Sequence, residues 1–142
     1  MVVTLGAAGH AHGLEQKTAT AVSQAKGAPV FEEMVKTVFQ RAIPNISGKS
    51  LIALEVTYPP GGKSPSHFHT KSAFIYAHVL SGAIRSQVDD EPAKVYQVGE
   101  GFYENPGSHH RVSENASTTE AASLLAVFIT DSTDNLIIPE QK

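Results

Sequence analysis

Residues 58–82 read YPPGGKSPSHFHTKSAFIYAHVLSG, and residues 99–115 read GEGFYENPGSHHRVSEN. In the first, Pro59, Pro60, Gly61 and Gly62 close the β-rich run LIALEVTY (51–58), and SAFIYAHVL (72–80) stops at Ser81-Gly82. In the second, GFYENPG (101–107) leads into HHRVS (109–113) and a polar loop at 115–119. Proline and glycine clusters of this kind end strands, because they supply backbone angles and missing donors that a ladder cannot accommodate. Between the two stretches lie AIRSQVD (83–89), an acidic turn at Asp89-Asp90-Glu91-Pro92, and AKVYQVG (93–99); ASLLAVFIT (122–130) is the last clear strand. Short strands recurring roughly every ten residues predict an antiparallel sandwich or barrel. No helix of ordinary length fits between Ser50 and Thr130, and no P-loop or dinucleotide fingerprint is present.

The flanks are less regular. Residues 1–30 are rich in Ala, Gly, Thr and Ser without a period, and read as an N-terminal arm, either flexible or packed at a dimer interface. Residues 31–142 then form the barrel domain. The run Phe31–Ala42 fits both a helical face (Phe31, Met34, Val35, Val38, Phe39) and an alternating strand (Val35, Thr37, Phe39, Arg41). A length of 142 residues with 41% hydrophobic and 18% charged residues predicts one folded domain rather than a disordered chain. A net charge of -3 offers no footprint for nucleic acid or an anionic membrane, and no apolar run is long enough to span a bilayer. The absence of cysteine excludes disulfides, thiolate metal sites and a cysteine nucleophile. The start of the chain lacks a basic segment followed by an apolar one, which predicts a cytoplasmic protein.

Seven histidines stand at 10, 12, 67, 69, 78, 109 and 110. On a strand, residues i and i+2 share a face about 6.5–7 Å apart, so His67 and His69 can converge on one ion. At this histidine content an HxH pair arises by chance about 0.34 times, so spacing alone decides little. His10-Ala11-His12 has the same spacing in the arm and reads as solvated. What separates His67 and His69 is their place between a turn and a strong strand. A third ligand must come from a distant strand, and His109-His110 supplies the candidate.

Residues 58–82 resemble the first motif of the cupin superfamily: glycine, five residues, HxH, a short gap, glutamate, six residues, glycine. Gly61, His67, His69 and Gly82 fall on it. Residues 99–115 resemble the second motif through Gly99, Gly107 and His110, with Pro106 and Asn115 each displaced by one. The resemblance implies a small all-β jelly-roll barrel, a double-stranded β-helix. It also implies one divalent metal ion (Fe, Zn, Mn, Ni or Cu) held by His67, His69 and His110. The chain departs from the motif where the glutamate belongs: counting seven back from Gly82 gives Ile75, counting from His69 gives Ala73 or Phe74, and none of these can bind a metal. The expected site therefore has three neutral imidazoles, which leave the +2 charge uncompensated and coordination positions open, as a catalytic centre requires. His109 should point to the opposite side of its strand from His110.

Ile75, Ala77 and Val79 share the parity of the missing glutamate and are expected to line an apolar substrate pocket. Phe74, Tyr76, His78 and Leu80 then face outward, which suggests a covered face, either a homodimer interface or the arm. Tyr103, Glu104, Arg85 and Gln87 are the polar candidates near the motifs. Arg85 and Gln87 share a face that is either the lumen, where they would hold a carboxylate, or solvent. Glu104 reads as a general base, a fourth ligand or a surface carboxylate. Glu55 reads as exposed or paired. The leading function is a metal-dependent enzyme carrying out an oxygen-dependent oxidation of a small organic molecule. The alternatives are a redox-neutral isomerase, lyase or polyketide-type cyclase, and a non-catalytic binding module.

Overall fold

The computed structural model describes residues 32–140, so the arm, with His10 and His12, lies outside the described residues. Ten strands form two five-stranded sheets. They are β1 (Met34–Ala42), β2 (Lys49–Tyr58), β3 (His67–Phe68), β4 (Phe74–Ser81), β5 (Ala83–Val88), β6 (Lys94–Gln97), β7 (Gly101–Glu104), β8 (His109–Asn115), β9 (Ala122–Asp131) and β10 (Ile138–Pro139). One sheet has the order β1-β2-β9-β4-β7 and the other β10-β3-β8-β5-β6, with antiparallel pairing throughout. This is the all-β jelly-roll architecture expected, and no helix occurs among the described residues. None is therefore present that is long and apolar enough to cross a membrane.

Period-2 alternation sets the core. On β4, Ile75, Ala77 and Val79 are buried while Phe74, Tyr76 and Leu80 are exposed. On β9, Ala122, Leu124, Ala126 and Phe128 turn inward. Together with Ile52, Leu54, Val56 and Tyr58 of β2 and Ile84 of β5 they make one continuous cluster between the sheets. The ambiguous run resolves as strand: β1 pairs along β2 from Met34↔Thr57 to Ala42↔Ser50, with a bulge between Thr37 and Phe39. All nine of its residues are exposed, so no buried face imposed a clean period on the sequence. The two-residue strand β10 is too short to carry any period; it exists because it pairs with β3.

Candidate metal centre

The first two histidines arrive through β3 and the residue after it. His67 and His69 are both buried, and Phe68 between them turns outward to stack on His109 at 4.1 Å. Strand β8 pairs beside β3 with His67↔His110 in register, which brings the third imidazole alongside from more than forty residues away. The ring centroids lie 4.9 Å (His67–His69), 5.2 Å (His67–His110) and 6.1 Å (His69–His110) apart. One nitrogen from each ring can be chosen so that all three lie within 4.8 Å of one another.

Hydrogen bonds orient the rings. His67 Nδ1–H donates to the Pro65 carbonyl at 2.8 Å, and His69 Nδ1–H donates to the Leu136 carbonyl at 2.9 Å. Both rings then keep a lone pair on Nε2, the form a metal ligand needs. His110 Nε2 shares a 2.8 Å hydrogen bond with Ser86 Oγ. Burial lowers His67 below the ordinary histidine value and takes His110 down to about 4. For His69, burial is outweighed by the Glu104 carboxylate, which raises it. Burial would raise Glu104, but the surrounding His69, His110 and His67 bring it below its usual range.

Glu104 lies inside the barrel, only 3% exposed. It sits at the end of β7, whose alternation buries Phe102 and Glu104 and turns Tyr103 out. Its Oε2 is 3.2 Å from His69 Nε2, and its Oε1 is 3.2 Å from His110 Nδ1. His69 Nε2 and Glu104 Oε1 are buried without a hydrogen-bond partner. The three histidines and Glu104 line a cavity of about 70 Å³ whose other walls include Leu54, Ala77, Phe102, Leu124 and Phe128. Its polar side holds Tyr58, whose hydroxyl bonds Ser64 Oγ at 2.6 Å and Ser113 Oγ at 2.8 Å, while Ser64 donates to Glu33.

Other expected positions fall elsewhere. Arg85 and Gln87 face outward: β5 turns Ile84 and Ser86 into the barrel, Arg85 is held at 2.9 Å by Glu114, and Gln87 donates to the Glu91 carbonyl. Strand alternation thus places them outside the pocket, and the lumen position beside His110 belongs to Ser86. Tyr103 is 62% exposed and packs near Phe74 on the outer surface, so it does not line the pocket. Of the three apolar candidates, Ala77 lines the cavity, while Ile75 and Val79 are buried in the core. His109 points away from His110, bonded to Ser66 Oγ at 2.9 Å. His78 is half-buried on the outer face and bonds the Tyr76 hydroxyl. Glu55 is half-buried and stands opposite Lys36 of β1. Ser86 and Ser113 hold variable positions that only the parity of β5 and β8 could have singled out, and Ser64 lies in the loop before β3, where no period exists.

Tyr58 gives this polar side a measurable signature. Burial pushes its phenol up to about 12 from 10.0. A folded value above the unfolded one means the stabilisation is complete below pH 10 and is lost as pH rises from 10 towards 12. The loss is about 2–3 kcal/mol. Denaturant midpoints of wild type should therefore fall across that window more steeply than those of Tyr58→Phe, and parallel curves would contradict the assignment.

The chain matches the family described as "Cupin domain" over residues 54–128, a span holding all three histidines and Glu104. No curated protein matches the sequence. Among solved structures, it is similar to the cupin domain of Cnp3 from Schizosaccharomyces pombe. The identity is 20% and the TM-score 0.57, over 70% of this chain and 62% of that one. It is also similar to a cupin 2 conserved barrel domain protein from Rhodopseudomonas palustris, with 17% identity and TM-score 0.61 over 84% of this chain and 74% of that one. A recombinant oxalate oxidase in complex with glycolate aligns at 23% identity and TM-score 0.54, over 63% of this chain and 45% of that one. The chain thus spans less than two-thirds of the first of these and less than half of the oxalate oxidase. At these identities the shared feature is the fold.

Proposed function

The chain belongs to the cupin family, and from that premise we propose that it is a metal-dependent enzyme. His67, His69 and His110 hold one divalent ion (Fe, Zn, Mn, Ni or Cu), and a small organic molecule in the barrel undergoes an oxygen-dependent oxidation. The observation that carries this is the convergence of three buried imidazoles, one nitrogen of each within 4.8 Å of the others, on the wall of a largely apolar cavity. The donor set fits an ion: two rings have their Nδ1 protons committed to carbonyls, and His69 Nε2 is buried with no partner of its own. When bound, the ion supplies positive charge to an enolate, phenolate or thiolate and, if redox-active, a route for electrons to dioxygen.

The protein's own residues do the rest. The Pro65 and Leu136 carbonyls fix the rings before anything binds, so little reorganisation is needed. Phe102, Leu124 and Phe128 keep bulk water from the site, which strengthens each charge interaction within it. Tyr58 and Ser64 present hydroxyls to the same cavity and orient a polar end of the substrate.

Metal analysis, divalent-ion titration and oxygen consumption test the reading. One ion per chain is expected, with occupancy falling on acidification, because protons compete for imidazole. No binding at any neutral pH would sink the three-histidine centre. Zinc or manganese without oxygen uptake would move the assignment to a redox-neutral isomerase, lyase or cyclase. The proposal includes a homodimer through the outer face carrying Phe74, Tyr76, Leu80 and Tyr103, all exposed in the single chain. A sedimentation mass of one chain at micromolar concentration would remove that part.

A further inference from the structure

The three-histidine reading leaves one group inside the barrel without a role. Resting on that reading, we propose that Glu104 is a fourth ligand of the same ion, its carboxylate delivered from β7 instead of from the strand that carries Ile75.

The register makes the substitution geometrically direct. Ile75 of β4 and Glu104 of β7 are paired across the sheet, and both point into the barrel. Neighbouring strands lie about 4.7–4.9 Å apart, so the carboxylate is moved by one strand and no more. The longer glutamate side chain can span that offset, and the isoleucine leaves no polar rival at position 75.

The distances agree. Donor atoms that each sit about 2.0–2.2 Å from one ion are about 2.8–3.6 Å from one another in cis-octahedral or tetrahedral arrangements. The two Glu104 oxygens stand 3.2 Å from His69 Nε2 and 3.2 Å from His110 Nδ1. Neither His69 Nε2 nor Glu104 Oε1 has the alignment a hydrogen bond requires. With the His69 proton on Nδ1, a lone pair faces a carboxylate in a dry interior. Two buried acceptors face to face are costly unless a proton or a metal cation stands between them, and only a metal cation can bond the carboxylate and the imidazoles together.

The consequence reaches the substrate. One carboxylate reduces the charge of a +2 centre to +1, so the site suits a monoanionic chelator, an enolate, phenolate or thiolate, rather than a dianion. It also leaves fewer positions open than three imidazoles alone.

Cobalt(II) titration followed by visible absorption tests this on wild type, Glu104→Gln and His67→Ala. Wild type should bind one ion, Glu104→Gln should bind at least tenfold more weakly with shifted bands, and His67→Ala should lose binding. Wild-type affinity and bands in Glu104→Gln, with His67→Ala still deficient, would overturn the fourth ligand and leave the three-histidine centre standing. No cobalt binding by wild type would overturn the centre itself, and the fourth ligand with it. Infrared difference spectra of wild type with and without cobalt make the test independent of how the variant folds. A displaced carboxylate stretch is expected, and a silent carboxylate region would contradict the proposal.

Discussion

Replacing His110 with alanine is expected to lower divalent-metal affinity by more than about 100-fold. Disturbing a partner that merely orients a ligand costs 10–100-fold, and removing a ligand costs more. The variant also leaves Ser86 Oγ without its 2.8 Å partner and opens a space beside Phe102, so some stability should go too. The two losses are separable. Calorimetric titration with zinc or cobalt reads affinity, and thermal unfolding in chelator reads the metal-free fold. Alanine at both His10 and His12 is the matched control, since the sequence presents the same HxH spacing there. Unchanged affinity in His110→Ala, or a comparable loss in the His10/His12 variant, would mean that the ion is not held where the imidazoles converge.

Gly82→Ala is expected to destabilise the barrel severely. Gly82 closes the turn between β4 and β5 with φ +65°, a left-handed conformation costly to any residue with a Cβ. A Cβ there would lie 2.6 Å from the Ala121 carbonyl oxygen and 2.8 Å from Ala122 Cβ. Both belong to the main chain or sit directly on it, so neither can swing away. Strain of roughly 1–2 kcal/mol and overpacking of roughly 1–3 kcal/mol together predict a loss of about 2–5 kcal/mol. The melting temperature should fall by roughly 10 °C. Gly99 separates the two terms: its φ is +86°, but an added Cβ would meet nothing within 4 Å. Gly99→Ala should therefore cost only the strain, about 1–2 kcal/mol. Equal losses at the two glycines would show that the close approach at Gly82 contributes nothing.

These glycines explain why so much of the fold was legible. Gly61, Gly82, Gly99 and Gly107 all have positive φ, so the motif glycines mark turns that other residues reach only with strain. Between them the strands alternate, and β2, β4 and β9 carry a buried face that writes a period of two into the sequence. Where no buried face exists the pattern fails, as in β1, or there are too few residues to hold one, as in β10.

The site divides along a similar line. His67, His69 and His110 stood out because they fall on two successive motifs between turns and strands. Arg85 and Gln87 share a face that the letters leave open between lumen and solvent, because parity does not carry across the turn at Gly82; in the structure that face turns outward and Ser86 holds the inward place. Glu104 is the reverse case. A carboxylate before Asn105 and Pro106 reads as a loop-edge charge, but the short strand β7 carries it into the interior beside two imidazoles.

The main strands of the barrel, its turns and the three imidazoles are written in the order of residues, because each is encoded locally by spacing, alternation or a required backbone angle. Which polar side chains share the interior with those imidazoles is settled by the packed chain. That depends on register across neighbouring strands, where a single residue of offset exchanges inside for outside and leaves no trace in the order of the letters.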